Sequence, residues 1–182
     1  VTSLPKMETL KEKGIEVLLL TDRIDEFALK TMMEFEGKIF KSINDSDFKI
    51  DDSKEKEEEI KKLSEDNRSL LDKIKDTLSG KIVDVELSND LGKGASALLA
   101  KGNISLEMEK VLSQLPGNEE VKAEKILALN PEHPVFKKLQ TLENSEEFKD
   151  LLDVLYTEAL ILEGFQIENP VEFIKKLNNL LK

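Results

Sequence analysis

The sequence predicts an α+β chain: a short α/β piece at the start, then a helix-rich domain with a small three-stranded sheet and a terminal helix pair. Three observations carry this. Helical apolar periodicity dominates from Lys54 onward. Three short runs, near residues 83–87, 95–100 and 123–129, have strand patterning between turn residues. An apolar run, Ile15 to Leu20, is followed at once by a helix start, as in a parallel α/β unit.

Taken in order, Pro5 to Lys13 reads as a short polar helix with Leu4, Met7 and Leu10 on its docking side. Ile15 to Leu20 then has the length and composition of a strand buried on both faces. The next helix opens at Asp22 as N-cap, with Asp25 and Glu26 favourable near its positive end. Glu34 to Ile43 alternates apolar and polar around Gly37 and predicts a short extended piece.

The composition then shifts. Residues 44–66 hold ten Asp or Glu against five Lys. Residues 44–53 read as a linker, with a domain boundary near Asp51, and the charge run leads into a solvated helix from about Lys54 to Leu78. That helix has the stripe Ile60, Leu63, Leu70, Leu71, Ile74 and Leu78, interrupted only by Asn67. Val83, Val85 and Leu87 alternate with Asp84 and Glu86, the pattern of a sheet wet on one side. Gly92-Lys93-Gly94 lacks the Lys-Ser/Thr ending and the following helix of a phosphate loop, so it reads as a turn. Ile104 to Leu115 forms an amphipathic helix of Ile104, Met108, Val111, Leu112 and Leu115, with Leu106 off the stripe. Loops on both sides give it a mobile setting, and periodicity leaves open whether it is buried or exposed. Asn130-Pro131 is read as the cap of a helix through about Leu142, with His133 at the surface of its first turn.

The end of the chain is the most apolar. A helix from about Ser145 to Phe165 carries Phe148, Leu151, Leu152, Leu155, Ala159 and Leu162 on one face and Val154, Leu160, Ile161 and Phe165 elsewhere. Asn169-Pro170-Val171-Glu172 is an N-cap, first-turn proline and capping-box signal. Phe173, Ile174, Leu177, Leu180 and Leu181 follow as a stripe to the chain end. Two such helix pairs meeting about a two-fold axis give an intermolecular four-helix bundle, with Leu151, Leu155, Leu162, Phe173, Ile174, Leu177 and Leu181 at the interface. The competing reading packs the pair only on its own domain.

Composition excludes several functions. A net charge of -11 argues against a nucleic-acid footprint. The absence of cysteine removes disulfides and thiol chemistry and fits a reducing compartment. No apolar run approaches the ~18 residues of a membrane span, and no signal peptide is visible. The expectation is a cytoplasmic protein contacting neither membrane nor nucleic acid. Starting at Val1, the chain reads as a processed chain or an excised piece. No nucleophile elbow, zinc motif or dinucleotide fingerprint is present, and one histidine without cysteine gives no metal set.

Several stretches go further. The run Leu10-Lys11-Glu12-Lys13-Gly14-Ile15-Glu16-Val17-Leu18-Leu19-Leu20-Thr21-Asp22-Arg23-Ile24-Asp25-Glu26-Phe27 resembles the heat-shock protein 90 chaperone family, bacterial HtpG type. So do Glu34-Phe35-Glu36-Gly37-Lys38, Val83-Asp84-Val85-Glu86-Leu87-Ser88, Leu127-Ala128-Leu129-Asn130-Pro131-Glu132-His133-Pro134, and Asn169-Pro170 with Phe173-Ile174 and Leu177-Asn178, in order and spacing.

The resemblance implies that residues 1–50 end a middle domain and 51–182 form a C-terminal dimerisation domain. It places the ATP-binding domain and a catalytic arginine upstream of Val1, so this stretch is expected to be no enzyme and to hold no cofactor, ATP and Mg belonging to the longer chain. It implies a homodimer that binds non-native client proteins. The client residues it implies are Phe27, after Ile-Asp-Glu, and Ile104, Met108, Val111 and Leu112 on a cleft helix. The chain ends at Leu181-Lys182 without the acidic pentapeptide of eukaryotic cytosolic members, so tail-docking co-chaperones are not implied. A homodimerisation module with no client binding remains the alternative.

Overall fold

The computed structural model describes residues 4–22, 24–50, 54–118, 120–143 and 145–181. The expected boundary near Asp51 lies outside them.

Helix α1 (Pro5–Glu12) starts on a proline, whose missing N–H costs nothing in a first turn. Its expected side is the one buried: Leu4, Met7 and Leu10 close over Ile50, with Val17, Ile43, Phe48 and Leu162 around them. Residues 43–50 are therefore packed rather than a loose linker. Their backbone also pairs with the sheet, Ala100 N–H donating to Asn44 O (2.8 Å) and Ser46 N–H to Ala100 O (3.0 Å).

Ile15 to Leu20 is not a strand. Leu18, Leu19 and Leu20 are exposed, and no described strand takes their backbone groups. An apolar run becomes a strand only when a neighbour satisfies its N–H and C=O groups. Helix α2 (Asp25–Met32) begins later than the Asp22 signal suggests. Asp25 folds back instead, its Oδ2 accepting from the N–H groups of Thr21 (3.1 Å) and Asp22 (3.0 Å). The extended piece is a hairpin, β1 (Glu34–Phe35) against β2 (Lys38–Ile39). Glu36 (φ 49) and Gly37 (φ 75) both sit in the left-handed region, as a tight two-residue turn requires.

The long helix breaks in two, α3 (Lys54–Asp66) and α4 (Arg68–Thr77). Asn67 makes the break. Its side-chain amide donates to Leu63 O (2.8 Å), and its Oδ1 accepts from Gln140 (2.7 Å). A short polar side chain competing with the helix backbone is a known way to interrupt it.

The sheet has the order β3-β5-β4, with β3 (Asp84–Leu87) parallel and β4 (Ser96–Lys101) antiparallel to the central β5 (Glu124–Leu129). At β3 the outer face carries half-exposed Asp84 and Glu86, as the alternation predicts, but at β4 and β5 both faces are closed. Leu87, Leu98, Ala100, Leu127 and Leu129 face the main core, while Ala97, Leu99, Ile126 and Ala128 close with Leu91 on the other face. The turn before β4 is held by buried Asn130, whose side-chain amide donates to Gly92 O and Gly94 O (3.0 Å each). Asn130 is thus a turn clamp. The N-cap of α6 (Pro134–Leu142) is His133, whose Nδ1 accepts from Val135 N–H (3.2 Å).

Helix α5 (Leu106–Leu112) is shorter than the periodicity suggests. Helix α7 (Glu146–Leu162) is capped by Ser145, its Oγ accepting from Phe148 N–H, and lays Phe148, Leu151, Leu152 and Leu155 on the sheet. It ends in a turn with Gly164 at φ 79, where Phe165 N–H reaches Leu160 O (3.0 Å) and Gly164 N–H reaches Ile161 O (2.9 Å). That double bond pattern needs a left-handed residue, which glycine adopts without Cβ strain. Helix α8 (Pro170–Leu180) starts as the sequence indicates: Asn169 Oδ1 accepts from Glu172 N–H (3.1 Å), and its amide donates to the Glu172 carboxylate (3.2 Å).

Candidate functional site

Two surfaces follow from this frame, one around α5 and one on α8.

Helix α5 is anchored, which corrects the expectation of a mobile setting. Ser105 Oγ caps it by accepting from Met108 N–H (3.0 Å). Leu106, off the apolar stripe in sequence, is its buried foot. Glu109, one turn on, is 9% exposed and pairs with Lys125, which is 6% exposed. Glu109 Oε2 also accepts from Ala123 N–H (2.8 Å). A buried carboxylate and ammonium satisfied this way hold α5 to β5, because separating them strands a charge in the core. Leu106 and Glu109 are three apart and share a helix face.

Of the residues implied as client contacts, Ile104 precedes α5, ahead of its Ser105 cap, and Met108, Val111 and Leu112 lie on other sides of the helix. Ile104, Met108, Val111 and Leu112 are all half-buried, and Ile104 leans on the main core. Phe27 is half-buried on α2. The structure brings the two helices together: Lys30 Nζ of α2 donates to Asn103 O (3.0 Å) and lies 3.1 Å from Met108 Sδ. Exposed apolar groups also gather along α2, its caps and the hairpin, namely Ile24, Met32, Met33, Phe35 and Ile39. Sequence reasoning misses these. Large exposed apolar surface of this sort marks a contact surface.

On the second surface, Leu151 (5% exposed) and Leu155 (3%) belong to the chain's own core. They support the helix pair from behind. Leu162 sits against the α1 cluster. Phe173 and Leu177 are half-buried, whereas Val171 (81%), Ile174 (50%) and Leu181 (76%) are exposed on one stripe of α8. No described residue of α8 is fully buried. The helix is nevertheless fixed in place. Asp153 accepts from Lys81 Nζ (2.6 Å) and pairs with Lys176 of α8. Burial raises the Asp153 carboxyl, but the hydrogen bonds from Lys176 and Lys81 outweigh it and hold it below the ordinary value.

The sequence profile of the Hsp90 protein family matches residues 1–182. The chain belongs to that family. It is 59% identical over 180 residues to the chaperone protein HtpG of Fusobacterium nucleatum subsp. nucleatum, covering 98% of this chain and 30% of that protein. It is 39% identical over 184 residues to the chaperone protein HtpG of Clostridium acetobutylicum, and 42% identical to that of Alkaliphilus oremlandii. Those two matches each cover 100% of this chain and 29% of the relative. The chain thus spans under a third of the length of these Hsp90-family relatives. Among the described residues no helix is long and apolar enough to cross a membrane.

One titrating group stands between the two surfaces of this family member. Glu163, which ends α7, has its carboxyl pushed up to about 7 by burial, with nearby Lys110 pulling it partly back. Its Oε2 accepts from Asn44 (2.9 Å). The folded value lies above the unfolded one, so the folded state holds the proton more tightly. The stability this contributes is present in acid and lost as pH rises between about 4.5 and 7. Thermal melts from pH 5 to 8 should show this loss, on the order of 3 kcal/mol. Glu163→Gln should flatten it; an unchanged slope would refute the assignment.

Proposed function

We propose that this chain is the dimerisation and client-binding region of a cytoplasmic, ATP-dependent chaperone that holds non-native proteins during stress and assists their folding. Two copies pair through α7 and α8, and clients meet the surface where α2 and α5 come together. Residues 1–50 then close a middle domain and 51–182 form the dimerisation domain. ATP and magnesium chemistry belongs to other regions of the protein, and neither nucleic acid nor membrane is a partner.

The observation that carries the reading is the stripe Val171, Ile174 and Leu181, exposed along α8 while the Asp153–Lys176 pair pins the opposite side to α7. A helix held firmly from behind with apolar residues outward is a ready half of a symmetric interface. Ile174→Glu tests it cleanly because the residue is already in water in the single chain. In the dimer the same change buries a charge, which should weaken association at least about a hundredfold, a hot-spot-sized effect. Sedimentation should show a dimer for the parent and a monomer with parent-like melting for the variant. A monomeric parent would overturn the dimer. A dimer that never suppresses aggregation of an unfolded protein would leave a pairing module without client binding.

A further inference from the structure

The client-binding reading leaves open what fixes the direction in which α5 presents its apolar residues. Leu106 and Glu109 bury one face of the helix, but they lie at its start and middle. Val111 and Leu112 sit at the last turn, half-buried, with no buried residue of α5 beyond Glu109 to hold them.

One side chain reaches from that turn to the helix pair. Lys110 Nζ donates to the backbone carbonyl of Glu163 (2.7 Å), at the C-terminal end of α7. Helix-end carbonyls have no partner within the helix and carry partial negative charge, so an ammonium is a natural cap there. The same ammonium pairs with Glu107 one turn back and lies 5.6 Å from the Phe165 ring centroid. Lys125 lies 5.2 Å from that ring and pairs with Glu109, the residue before Lys110. Phe165 thus closes a loop from α5 through Lys110, the α7–α8 turn, Lys125 and β5 back to α5. Desolvated ammonium–ring contacts add to such a clamp.

We propose that Lys110 is a positioning residue: it ties the last turn of α5 to the α7–α8 turn, so that the client-contact side of α5 is held in a fixed relation to the dimerising helices. This rests on the client-binding reading above. Lys110 itself need not touch a client. Without it, Leu106 and the Glu109–Lys125 pair keep α5 folded and docked while its last turn frays.

The experiment compares the whole chain with Lys110→Met and Lys110→Arg. Methionine keeps the length and apolar stem but neither donor nor charge. Arginine keeps the charge, the donors and the ability to stack on an aromatic ring. Affinity for reduced, permanently unfolded α-lactalbumin is measured alongside dimerisation by sedimentation and amide hydrogen exchange across α5 and α7.

Lys110→Met should weaken client binding about tenfold, equal to ~1.4 kcal/mol. It should also speed exchange at Val111 to Leu115, while α7 exchange and dimerisation stay as in the parent. Lys110→Arg should bind within about threefold of the parent, since its guanidinium serves both contacts. Parent-like client binding by Lys110→Met overturns the proposal. So does a loss accompanied by faster exchange throughout α7, which would make Lys110 a general support of the fold. If the dimeric parent itself does not bind the unfolded client, the client-binding reading falls and this inference with it. Client binding by the parent with no difference in the variants removes the positioning role alone.

Discussion

Glu109→Ala should destabilise the chain by about 3–5 kcal/mol, because it leaves the Lys125 ammonium buried without its counter-ion. Lys125 is 6% exposed and pairs with the Glu109 carboxylate. The substitution also removes the acceptor for Ala123 N–H, at the entry to β5. For a chain of this size the midpoint of thermal unfolding should fall by roughly 10 °C. The double substitution Glu109→Gln with Lys125→Met should recover much of the loss, since it removes both charges while glutamine can still accept from Ala123. Calorimetry on the parent and the two variants decides it. Equal melting of parent and Glu109→Ala would mean that water reaches the pair and that α5 is held without it.

What the sequence disclosed, and what it hid, divides along one physical line. Local signals were legible. The Asn169-Pro170 cap of α8, the Ser145 start of α7 and the docking side of α1 all depend on residues within a turn or two of each other. The three strands were found because alternation and apolar runs are local too. Family membership rested on long ordered motifs and is shown by the comparisons over the whole chain.

Long-range partners were not legible. Asn67 is a lone polar residue in a helical stripe until Gln140, far along the chain, supplies its partner and the helix breaks there. Asn130 has the look of a helix cap, but its amide serves the 92–94 turn, so capping passes to His133. Ile15 to Leu20 has the composition of a buried strand but lacks sheet neighbours among the described residues. The surface around α5 was half legible. Its stripe is visible in the sequence, yet the anchor that orients it, Glu109 with Lys125 and Lys110 with Glu163, joins residues whose meeting only the fold creates. Periodicity also could not rank the apolar residues of α7 by depth. It shows that more than one side is apolar and says nothing about which side meets the sheet.

That last point gives the largest expected effect. Leu155→Glu should unfold the chain rather than separate a pair of folded copies. Its spacing places Leu155 at the dimer interface, but it is 3% exposed within the main core, on the helix that packs against β4. Its backbone carbonyl accepts from Ser96 Oγ of that strand (3.2 Å), so the site is also polar-satisfied and closed. Truncation to alanine should cost ~2–5 kcal/mol, the range for a buried leucine whose cavity only partly collapses. A carboxylate adds desolvation without a partner, and the sum approaches the whole stability of an ordinary domain. Circular dichroism should therefore show loss of helix and of cooperative melting for Leu155→Glu, with Leu155→Ala intermediate. A folded Leu155→Glu monomer that melts like the parent would return this residue to the seam between copies, and the packing of α7 on the sheet would have to be redrawn.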